Sequence, residues 1–109
     1  MHKIVACLLV VIVTSGCTTQ TSSEDKGKND VENVKTLCIQ KCVDAQNSFQ
    51  DLSNGPCLSN EIVPGWVCDV AHNPRQEVDN NPANQCSSFG KTANHFIEVD
   101  TNCNFIRAY

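Results

Sequence analysis

No apolar run in this sequence reaches the roughly 20 residues that a helix needs to cross a bilayer. The longest, Ile4 to Val13, is about half of that. Positive charge is also scarce, with 8 Lys and Arg against 12 Asp and Glu. No basic patch is available to release counterions from a phosphate backbone, which argues against nucleic acid as a partner. The acids are scattered rather than blocked, so an acidic interaction tail is not expected either. Gly-x-Ser-x-Gly, His-Glu-x-x-His, a P-loop and a dinucleotide fingerprint are all missing. With them goes the expectation of catalysis or of a cofactor. Aromatics make up only 6 % of the chain. A small domain with so few large apolar side chains is marginal on burial alone and needs another source of stability.

Met1-His2-Lys3 places a positive charge ahead of the apolar run, and Thr14-Ser15-Gly16 are small residues behind it. Charge, apolar core and small-residue cleavage site, in that order, read as an export signal. The cysteine that follows, Cys17, completes a segment, Thr14-Ser15-Gly16-Cys17, that resembles the lipobox of prokaryotic lipoproteins. The commonest lipobox has Leu where this chain has Thr14. The resemblance covers residues 1–17. It implies cleavage after Gly16, a diacylglyceryl group and further acylation on Cys17, and a membrane anchor on the outer side of the membrane. Two or more acyl chains on one cysteine suffice for stable anchoring, where a single chain gives marginal binding. Residues 1–16 are then the signal peptide. Its loss removes Lys3 and no acid, which leaves the remainder one unit more negative than the formal −4 of the whole chain.

Thr18 to Asp30 (TTQTSSEDKGKND) carries no large apolar residue and cannot offset the entropy of ordering by burial. Residues 17–30 read as a lipidated cysteine and a polar tether, with a random-coil reach of roughly 20 Å. Residues 31–109 are the folded domain.

Of the 8 cysteines, Cys7 leaves with the signal and Cys17 goes to lipid. The even remainder, Cys38, Cys42, Cys57, Cys68, Cys86 and Cys103, implies a disulfide framework in a small exported domain. Zinc knuckles favour Cys-x2-Cys pairs, and none is present. Cys38 and Cys42 stand four apart in a stripe that runs Val31, Val34, Cys38, Cys42, Ala45, Phe49. Steps of three and four mark a helix, with Asp30 as its expected N-cap. Residues at i and i+4 point the same way, so Cys38 and Cys42 are expected to bridge to two different partners. The device is similar to that of cysteine-stabilised α/β miniproteins, although those pair the helix with a Cys-x-Cys strand that this chain lacks. Full connectivity stays open; Cys57, just after the turn Asp51–Pro56, is one candidate partner for Cys42.

Trp66 to His72 alternates, with Trp66, Cys68, Val70 and His72 on one face and Val67, Asp69 and Ala71 on the other. That is a strand. Asn73 to Asn81 is a polar loop. Asn81-Pro82 reads as N-cap and first residue of a short helix carrying Cys86 and Phe89, stopped by Gly90. His95–Val99 and Phe105–Ala108 form a terminal hairpin. The expected fold is α+β: a small disulfide-rich domain with one main helix on a small antiparallel sheet.

The function this supports is a membrane-anchored exported binding domain without catalysis. Two alternatives remain. His72 and His95 could share one end of the sheet and hold a metal. Arg75, in the loop Asn73-Pro74-Arg75-Gln76, could be displayed to a protein partner in the manner of small protease inhibitors.

Overall fold

A computed structural model describes residues 11, 12, 16 and 23–109, with the backbone alone over 23–29. Most of the signal-peptide core, and Cys17, lie outside the described residues.

The 3–4 stripe forms helix α1, Ser23–Asn47. It starts seven residues ahead of the expected cap at Asp30. The segment from Ser23 to Asp30 holds no proline, and Glu24, Lys26 and Lys28 are good helix formers, so the helix extends despite Gly27. Val34, Cys38 and Cys42 are buried along the stripe. Phe49, expected in the same stripe, is instead 96 % exposed. The reason is local. Phe49 takes a left-handed φ of 59° and closes the helix, its N–H donating to Gln46 O at 3.0 Å and that of Gln50 to Ala45 O at 3.0 Å. Glycine usually fills such a position. Phenylalanine there swings away from the stripe.

Four strands follow: β1 (Cys57–Val63), β2 (Trp66–Val70), β3 (His95–Val99) and β4 (Phe105–Ala108), in the order β1-β2-β3-β4. β1 and β2 are an antiparallel hairpin around Pro64-Gly65, where Gly65 has φ 84°, a turn that favours Pro then Gly. β3 and β4 form the second hairpin. The α+β reading holds, but the sheet is mixed: β2 and β3 are parallel. Parallel neighbours need a long crossover, and residues 71–94 supply it. That crossover contains two 3-10 turns, Glu77–Asn80 and Pro82–Asn84, rather than the expected helix through Phe89. Asn81 does cap the second turn, its side chain accepting from the Ala83 N–H at 3.1 Å. Gln85 then returns to extended backbone and ends it.

β1 was hidden in the sequence because register shifts on either side of Ser59 break its alternation. Its polar centre, Ser59-Asn60-Glu61, has no period-2 signature of a half-buried strand.

Each sheet face is covered differently. Trp66, Cys68 and Val70 of β2, with Ile97 and Val99 of β3, pack under α1 beside Val34, Cys38 and Cys42. Val67 and Phe96 face the other way, against Cys57, Cys86 and Ala93. Disulfides Cys38–Cys68 and Cys42–Cys103 tie α1 to β2 and to the β3–β4 turn. Cys57–Cys86 ties β1 to the crossover. Cys38 and Cys42 therefore take different partners, as the helical spacing requires. The candidate pair Cys42–Cys57 does not form. Cys57 packs with Val67 and Cys86 on the face away from α1, so the sheet itself separates it from Cys42.

Candidate ligand cleft

The face away from α1 carries a cleft of about 260 Å³. Register builds its floor. Val67 lies beside Phe96, and Asp69 beside Glu98, on the parallel strands β2 and β3. Two carboxyl groups are thus neighbours on one face, an arrangement that is unfavourable unless compensated. Compensation comes from β4 and the crossover. A bulge in β4 pairs Glu98 with Arg107 but Val99 with Phe105. Two residues apart in a regular strand share a face. The bulge breaks that rule: Phe105 lies under Lys35 of α1, while Arg107 lines the cleft. The crossover supplies Arg75, Gln85, Cys86 and Phe89 as the opposite wall, held down by Cys57–Cys86.

Glu98 is 6 % exposed. Its two oxygens each meet a guanidinium, Arg75 Nη1 at 3.3 Å and Arg107 Nε at 3.4 Å. Arg75 is fixed through all three nitrogens, because Nε donates to Asn80 Oδ1 at 2.8 Å and Nη2 to Asp79 O at 3.1 Å. Asp69 has no such partner. Its Oδ1 is buried and has no hydrogen bond among the described residues. Burial, reinforced by the charge of Glu98, pushes the Asp69 carboxyl up to about 7, despite the opposing pull of the Val70 N–H and of Arg75. Near neutral pH the group is therefore divided between acid and carboxylate. Phe96 and Tyr109 stack at 5.6 Å and Phe89 meets Phe96 edge-on at 5.2 Å. The Arg107 guanidinium lies 5.5 Å from the centre of the Phe96 ring, within cation–π range. Chemically the cleft offers an apolar wall, guanidinium donors and one titrating carboxyl.

The two histidines of the domain do not meet. β2 and β3 are neighbours, yet parallel pairing sets His95 beside Trp66 and leaves His72 beyond the other end of β2. At ~3.3 Å per strand residue the separation is on the order of 20 Å. Each has its own partner. His72 Nδ1 lies 2.9 Å from Asp79 Oδ1, and the His72 backbone N–H donates to Asp79 Oδ2 at 3.0 Å. Burial acts to raise the Asp79 carboxyl, but the N–H groups of Gln76 and His72 and the His72 ring outweigh it and hold it below its usual range. His95 stacks on Trp66 at 4.6 Å and faces Tyr109 O. No group of three metal-ligating side chains exists among the described residues.

Arg75 does belong to a wall of the cleft, although it folds back onto Glu98 and Asn80 rather than projecting from a loop tip. Asp69, Glu98 and Arg107 were not identified from sequence. The one available signal was Asp69 itself, a charged residue between Val67 and Ala71 on an otherwise apolar strand face. No family model, curated protein or solved structure matches this chain.

Proposed function

We propose that the protein is an exported, lipid-anchored binding domain whose cleft, framed by Asp69, Glu98, Arg75, Arg107 and Phe96, captures a small ligand or one residue of a larger partner without transforming it. The observation that carries this reading is Asp69 Oδ1, buried and without a hydrogen bond among the described residues, in a cleft whose other carboxylate, Glu98, is met by two guanidinium groups. A buried polar atom without a partner costs free energy, and such groups mark binding sites when they converge with an apolar wall. Three disulfides accord with an oxidising compartment. The lipobox-like Thr14-Ser15-Gly16-Cys17 accords with tethering by acylated Cys17. With no nucleophile motif in the sequence and every domain cysteine oxidised, binding is the simpler role for the cleft.

Fragment mapping by NMR tests the cleft. With the isotope-labelled exported protein, small aromatic and polar fragments should shift resonances of Val67, Asp69, Phe96, Glu98 and Arg107. Shifts confined to the α1 face, or none at all, would remove the cleft from consideration. In parallel, Cys17→Ser should release the protein from the membrane fraction; unchanged membrane retention would overturn the anchor.

A further inference from the structure

What a ligand meets in this cleft is not what the floor carries. The side chains of Arg107 and Arg75 are 56 % and 36 % exposed, whereas that of Glu98 is 8 % exposed. Guanidinium therefore stands at the mouth and carboxylate at the base. Arg75 has no nitrogen left without a protein partner. Arg107 approaches Glu98 most closely through Nε, and neither of its Nη groups makes a hydrogen bond among the described residues. That free edge is a planar fork of N–H donors, the geometry that matches a carboxylate. The adjoining wall, Phe89 and Phe96, is apolar. A volume of about 260 Å³ is below the roughly 300–1,000 Å³ of drug-sized sites, so the occupant is one ring or one side chain in size.

We propose that the cleft binds a carboxylate carried on a small apolar or aromatic body, with its oxygens on the free edge of Arg107 and next to Asp69 and its apolar part against Phe89 and Phe96. The proposal deepens the binding reading above and rests on it. The charges acting on Asp69 are Glu98 on β3 and Arg75 and Asp79 from the crossover, while Arg107 on β4 lines the same cleft; Cys57, its neighbour on β1, is oxidised. With Asp69 protonated, the four groups that line the cleft sum to one positive charge and offer a hydroxyl donor to the incoming anion. With Asp69 ionised they sum to zero and the donor is gone. Binding above neutral pH therefore takes up one proton onto Asp69.

The test is an NMR titration of the exported protein, solubilised as isolated and blanked against its detergent, with phenylacetate, phenylacetamide and phenethylamine. These three share one ring and differ in charge. Phenylacetate should bind at the cleft resonances, and its affinity should fall about tenfold from pH 6 to pH 8, as the competent fraction falls with the proton on Asp69. Arg107→Met should abolish binding and Arg107→Lys should weaken it, with backbone resonances elsewhere unmoved in both. Equal binding of phenylacetamide, or tighter binding of phenethylamine with affinity rising with pH, would overturn the carboxylate while leaving a binding cleft. No shift from any of the three, with fragments also silent at the cleft, would overturn both readings.

Discussion

Asp69 is the residue on which the site turns. Its folded-state carboxyl titrates near 7, above the ordinary value of about 3.9 that the unfolded chain shows. From about pH 4 to 7 the native chain holds a proton that the unfolded chain has released, so stability falls as pH rises through that window and levels off above it. Asp69→Asn removes this term. The variant should match the parent near pH 4 and exceed it at pH 8 by on the order of 2–4 kcal/mol, measured by urea unfolding. A natural sequence that keeps a destabilising carboxylate is consistent with a use for it. Sequence reasoning placed Asp69 on the correct strand face, opposite Cys68 and Val70. It could not see Glu98 beside it, because that depends on parallel register. It could not see Arg107, because a bulge decides which way that side chain points. His72 and His95 do not share a sheet end for the same reason as Glu98 was missed: strand direction, not spacing, determines which residues share an end.

Disulfides organise the elements. Two of them fasten α1 to the sheet and the third fastens the crossover over the opposite face. Helical spacing made it legible that Cys38 and Cys42 diverge, since two side chains on one helix face cannot both reach inward and also meet each other. Their partners were not legible, because β1 lacks alternation and the face of Cys57 was unknown. The Cys57–Cys86 bridge closes a loop with a sequence separation of 29. Replacing both residues by Ala should cost about 3–4 kcal/mol and leave the α1 face folded through the two remaining bridges. The wall carrying Gln85 and Phe89 should loosen, water should reach Asp69, and its pKa should drop from about 7 toward the ordinary carboxylate range. Carboxyl-carbon NMR against pH reads this directly. An unmoved Asp69 titration would show that the crossover is held by other contacts.

At the scale of the molecule the domain has two unlike faces. One is covered by α1 and consists of cystine and aliphatic packing around Ile97 and Val99. The other is only partly covered, by the crossover, and there the charged cleft lies. The fold class was readable because composition, cysteine parity and the α1 stripe all pointed to a small stapled α+β domain. The mixed sheet was not readable, since an irregular crossover between parallel strands carries no helical period to announce it. The most direct measurement is capture of partners from intact cells by the full-length protein in three forms: the parent, Arg107→Glu in the cleft, and Lys41→Glu on α1. The parent and Lys41→Glu should retain the same captured set, and Arg107→Glu should lose it. An identical set from all three, or a loss confined to Lys41→Glu, would contradict the cleft as the functional surface.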